Sequence, residues 1–177
     1  MSINKLFRIA GWCSLLGVLF MVGAIVSYPL GIGSFGTIFE LFFLLMLVIV
    51  FYALYVAHRA ESQALSLAGL VLFILAIVVN LVSMANYGNT FISGLWYLLF
   101  SLPFLIFGYL AYRGTRMPRG LAVVALLAGV FGFISAVGGM LGNPDFADSV
   151  NMLSLLFTLV WLVWLWRLFL SKKFAAA

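Results

Sequence analysis

The chain has 177 residues, of which 67% are hydrophobic and 7% charged, with a net charge of +5 from nine basic and four acidic side chains. So apolar a composition excludes a soluble domain, whose apolar share is nearer half, and indicates an integral membrane protein. Nine basic residues broken into small clusters by long apolar runs present no contiguous phosphate-binding face, so nucleic acid is excluded as a partner. Cys13 is the only cysteine, which leaves no intrachain disulfide and no paired-cysteine metal or redox site.

Charge-free runs cover residues 9–39, 41–57, 62–112, 120–144 and 149–166. A spanning helix needs about 20 mainly apolar residues. At the N-terminus, Lys5 and Arg8 precede a run that imitates a signal peptide, with Val22-Gly23-Ala24 as a passable cleavage site. The run continues to Leu30, beyond the ~7–15 residues of a signal core, so a retained signal-anchor helix is expected.

The run 62–112 holds 51 residues, about 77 Å as one helix, and must fold back on itself. Asn86-Tyr87-Gly88-Asn89 at its middle supplies turn chemistry. Six spans follow, near 8–27, 37–57, 66–85, 93–112, 119–141 and 149–169. Stretches such as "LFFLLMLVIVFYALYV" do not alternate as barrel strands would. An all-α protein of three consecutive helical hairpins, forming one six-helix transmembrane domain, is the expectation.

Arg59 follows span two, Arg113, Arg116 and Arg119 follow span four, and the tails carry Lys5, Arg8, Arg167, Lys172 and Lys173. The other loops, "YPLGIGSFG", "NYGNTFIS" and "GNPDFADS", contain no Lys or Arg. The positive-inside rule then places both termini in the cytoplasm. Arg59, Arg113 and Arg167 recur every 54 residues, each closing a helix, a spacing that constant membrane thickness also produces.

Glu40, in "FGTIFELFFLL", is the acidic residue set deepest in an apolar run. Thr37-Ile38-Phe39-Glu40 fits the capping box, in which a Thr hydroxyl and a Glu three residues on satisfy free N–H groups at a helix start, where the dipole favours a carboxylate. Asp148 falls at the equivalent outer start of span six. Capping is the preferred reading. The alternative is a proton, cation or polar-ligand site, since ionisable groups within membranes are often functional. Such a pocket would draw on Asn80, about 9 Å below the outer end of span three, with Ser83, Trp96, Tyr97, Ser135, Asn151 and Ser154 also in the outer half. The plainer account of these side chains is hydrogen bonding between helices.

His58, the sole histidine, stands beside Arg59 at the inner end of span two; ligation of haem or a pigment is conceivable, but an interfacial role is preferred. Pro103 removes a backbone donor from span four and should kink it near Ser101. In span five, Ala125 with Gly129, Ala128 with Gly132 and Ala136, and Ser135 with Gly139 line a face of small residues that admits a close neighbour. Trp161, Trp164 and Leu168 form a bulky stripe on span six suited to packing or lipid contact.

The segment "FGYLAYRGTRMPRGLAVVALLAGVFGFISAVGG", a helix closing on basic residues, a short loop, a Pro-Arg pair and a glycine-rich helix, resembles a group of small bacterial multi-spanning proteins known as a domain of unknown function. The resemblance covers spans three to five, implies a prokaryotic inner-membrane protein and transfers no functional residue.

No phosphate-binding glycine loop, H-E-x-x-H, paired intramembrane aspartates or Ser-His pair at matching depth is present, so no catalytic residue, metal ligand or cofactor is assigned. The function expected is therefore a non-enzymatic binding or accessory subunit for a lipid-like or small apolar ligand, or for a larger membrane complex. Its partners would be the bilayer and a second copy or another membrane protein. The alternative is a small proton- or cation-coupled transporter or channel that uses Glu40.

Overall fold

The computed structural model describes residues 2–86 and 89–171. Tyr87 and Gly88 of the expected turn, and the basic Lys172 and Lys173, lie outside the described residues. Among the described residues six α-helices follow one another: α1 (Ile3–Ser27), α2 (Gly33–His58), α3 (Gln63–Ala85), α4 (Thr90–Arg113), α5 (Arg119–Met140) and α6 (Pro144–Phe169). There is no strand among the described residues. Each helix is long and apolar enough to cross a membrane, and Leu, Val, Ile and Phe side chains lie exposed along all six, as contact with lipid requires. The protein is an all-α integral membrane protein.

Helix ends differ from expectation where local capping chemistry extends a span past its most apolar part. Helix α2 starts at Gly33, so Glu40 stands beyond its first turn and the Thr37-Glu40 capping box is not formed there. The Thr37 hydroxyl instead donates back to the Gly33 carbonyl at 3.2 Å. Helix α6 starts at Pro144, with Asn143 Oδ1 accepting from the Phe146 N–H at 3.2 Å. Proline at the first helical position lacks only an N–H that has no partner there anyway, so Asn143-Pro144 makes a sharp start. Asp145, rather than Asp148, is the acidic residue of that first turn. Gly31 and Gly142, at φ +74° and +77°, take the left-handed conformation that reverses the chain after α1 and α5.

The chain divides into two compact units, one of Met1–Ala53 with Leu162–Ala177 and one of Leu54–Trp161. In the first, α1 and α2 form an antiparallel hairpin. Phe20 stacks on Phe42 at 5.2 Å, and a Cβ on Gly23 would touch the Phe39 ring at 3.0 Å. The end of α6 joins them, Phe169 lying 5.4 Å from Phe7.

In the second unit, α3 with α4 and α5 with α6 form two further hairpins. Helices α4 and α5 pack closely. Gly139 faces the Gly94 Cα, Gly129 lies under Leu105, and a Cβ on Gly132 would meet Ser101 on α4 and Ser154 on α6. Ala125, Ala128 and Ala136 are buried along the same helix. Small side chains let the backbones approach, which replaces the hydrophobic drive that helices in lipid lack. Helix α4 runs unbroken through the buried Pro103, and the Ser101 hydroxyl beside it donates to the Leu98 carbonyl at 2.8 Å. Trp161 packs on Phe104 with ring centroids 4.9 Å apart, while Trp164 is exposed.

Candidate functional site

The polar residues singled out above fall in different places. Glu40 belongs to the first unit, where its Oε2 accepts from the Tyr28 hydroxyl at 3.2 Å. Asn80, Ser83, Trp96, Tyr97, Asn151 and Ser154 belong to the second. Ser83 meets Ser93 at 3.2 Å, which links the adjoining ends of α3 and α4. The Ser154 hydroxyl donates to the Ala128 carbonyl at 2.8 Å, and the Ser135 hydroxyl to the Ala147 carbonyl at 2.8 Å, so both serve the α5–α6 contact. Asn80 is buried, and Trp96 rests on Phe100 at 4.8 Å.

A different cluster stands at the opposite end of the second unit, where α2 ends, α3 begins and α4 ends. Here the chain leaves α2 in a tight turn. The His58 carbonyl accepts from the N–H groups of Glu61 and Ser62, at 2.9 and 3.0 Å. Ser62 then caps α3, its hydroxyl oxygen accepting from the Leu65 N–H at 3.4 Å. The turn carries the Glu61 side chain back over the helix it has just left, so that Glu61 Oε2 lies 2.9 Å from His58 Nδ1.

Because an ionised carboxylate only accepts, Nδ1 carries the hydrogen of this bond. The His58 side chain is wholly buried, its ring 6.2 Å from that of Phe107, and its Nε2 has no hydrogen-bond partner. An unpaired buried polar atom opposes folding by about 1–3 kcal/mol, which a histidine kept only for packing would not justify.

Arg113 approaches from α4. Its position in the last turn suits the negative end of the helix dipole. One guanidinium nitrogen donates to the Tyr109 hydroxyl at 2.9 Å, and the group stands 5.7 Å from the centre of the Tyr109 ring. That pairing orients the guanidinium and leaves its other N–H groups available. Arg116 in the next loop donates to the Ala57 carbonyl at 3.2 Å, which ties the α4–α5 connection to the end of α2.

Gly114 caps α4 with φ −76°, a conformation open to any residue, so the absence of a side chain has another cause. A Cβ there would overlap Glu61 Oε1, the nearest atom, and stand 2.7 Å from Oε2 and 2.8 Å from Cδ. Glycine makes room for the carboxylate.

These groups line an open cleft of about 390 Å³ formed by Glu61, Ser62, Leu65, Tyr109, Leu110, Arg113 and Gly114. The opposite charges of Glu61 and Arg113 share its wall, yet the carboxylate is hydrogen-bonded to His58 and forms no ion pair with Arg113. No cluster of His, Cys, Asp and Glu able to hold a metal ion occurs among the described residues. Comparisons with protein-family models, curated proteins and solved structures give no match to this chain.

The cleft was within reach of the sequence. Glu61 is the one acidic residue in the basic loops, and it follows the sole histidine by three positions. What the sequence does not display is the approach of Gly114, which comes from packing α3 against α4.

Proposed function

We propose that this chain is a non-enzymatic membrane protein that binds a phospholipid in the cleft between the start of α3 and the end of α4, acting alone or as an accessory subunit of a larger membrane assembly. The observation that carries the reading is the composition of that cleft. It sets a guanidinium, a carboxylate and a serine cap at the ends of apolar helices, with Leu65 and Leu110 in the same wall. A phosphodiester beside Arg113 gains charge-assisted hydrogen bonds, and the acyl chains stay against apolar side chains. Helix-end basic residues face lipid headgroups in the same way.

The one-sided distribution of basic residues supports a cytoplasmic position for both termini and for this cleft. The resemblance to small bacterial multi-spanning proteins supports a prokaryotic inner membrane. The test is native mass spectrometry of protein extracted in mild detergent. Wild-type protein retains phospholipid, and Arg113→Gln retains at most about a tenth as much, the ratio for a lost charged hydrogen bond. Equal retention by the two would remove the basis of the reading.

A further inference from the structure

Resting on that reading, we infer that the cleft recognises a phosphoethanolamine headgroup, with the phosphate on Arg113 and the primary ammonium on Glu61. Four observations converge. Glu61 and Arg113 both line the cleft but do not form an ion pair with each other, so each charge is left for a ligand. A site for a plain anion would not keep a carboxylate in its wall, because like charges placed together weaken binding.

The carboxylate is held there. His58 Nδ1 bonds Oε2 from the buried side, and Gly114 supplies the space. The second oxygen, Oε1, takes part in no hydrogen bond among the described residues. It is an acceptor able to take a ligand donor, and a primary ammonium has three N–H groups where a trimethylammonium has none. Finally, His58 retains an unpaired buried Nε2, which folding alone disfavours and which orienting Glu61 explains.

The same headgroup chemistry occurs in a membrane lipid and in soluble O-phosphoethanolamine, and the test separates them. Purified full-length protein is titrated with phosphatidylethanolamine, phosphatidylcholine and phosphatidylglycerol of matched acyl chains, and with O-phosphoethanolamine. Phosphatidylethanolamine should bind about tenfold tighter than either other lipid, as a charged hydrogen bond predicts. Glu61→Gln should erase that preference, and should strengthen phosphatidylglycerol binding because the like charge beside the phosphate is gone.

Since Glu61 touches His58, Gly114→Ala provides a second route. It displaces the carboxylate without deleting it and should also level the three lipids. Equal binding of the three lipids by wild type, with Arg113 still required, overturns the headgroup assignment and leaves the lipid-binding reading standing. Binding that ignores Arg113 overturns both. Persistence of the preference in both Glu61→Gln and Gly114→Ala overturns the role of Glu61. If O-phosphoethanolamine binds as tightly as the lipid, the lipid source is overturned.

Discussion

His58 Nδ1 lies 2.9 Å from Glu61 Oε2, with the imidazole wholly buried and the carboxylate partly open to the cleft. This pair aims a charged group from inside the protein toward its surface. Its partners are three residues apart, so the tight turn after α2 sets the geometry. The interaction links a local backbone event to the chemistry of the site.

The pair makes His58→Met informative. Methionine is apolar and adaptable enough to fill the space, removes the unpaired Nε2 and loses one hydrogen bond to a partly exposed carboxylate. The two effects oppose one another. Thermal or denaturant unfolding should show stability within about 1 kcal/mol of wild type, while the preference for phosphatidylethanolamine falls. A loss above about 3 kcal/mol with that preference unchanged would mark His58 as a packing residue.

The α4–α5 contact predicts a sharp difference between two faces of one helix. A Cβ at Gly132 already meets Ser101 at 3.0 Å and Ser154 at 3.2 Å, so Gly132→Leu should destabilise the protein by ~1–3 kcal/mol and disturb the Ser154 bond to Ala128. Val130 is exposed on the same helix, and Val130→Leu should leave the unfolding midpoint in detergent unchanged. Equal effects would show that the small-residue face does not carry the packing.

Topology is checked by single cysteines in a Cys13→Ala background. Reagents confined to the outer side of intact cells should modify Asn89→Cys and Asp145→Cys, and should leave Arg116→Cys unmodified until the membrane is opened. Modification of Arg116→Cys in intact cells contradicts the inside-positive orientation.

Glu40 offers a test of the alternative function. Gln retains an acceptor for the Tyr28 hydroxyl, so Glu40→Gln should unfold at the wild-type temperature and keep wild-type lipid binding. In reconstituted vesicles a pH-sensitive dye should report no proton movement that depends on Glu40. A proton flux present in wild type and absent in Glu40→Gln would favour the transporter.

The six spans and their three hairpins were legible because the bilayer imposes a length on apolar runs, and because a run of 51 residues cannot stay straight across it. Helix ends were harder. Gly33 and Ser34 do not look like helix formers, yet α2 begins there, and the hydroxyl read as a cap at Thr37 is spent inside the helix on Gly33. The start of α6 had a visible signal in Asn143-Pro144, outweighed by the more apolar stretch that follows.

Asn80, Ser83 and Ser154 stood out because polarity inside an apolar run is conspicuous, whereas Ser83 and Ser154 serve helix contacts. The Glu61 cleft lies where polar residues are ordinary, and only the turn after α2 and the bare Cα of Gly114 single it out.

Photo-crosslinking tests the lipid site most directly. A phosphatidylethanolamine carrying a diazirine beside the glycerol is reconstituted with the wild-type protein, illuminated, and the adducts are mapped by peptide mass spectrometry. The site in the cleft predicts adducts concentrated in residues 59–66 and 109–116, lost in Arg113→Gln and competed by unlabelled phosphatidylethanolamine. Adducts spread evenly over all six helices, or gathered around Glu40 and indifferent to Arg113, would contradict it.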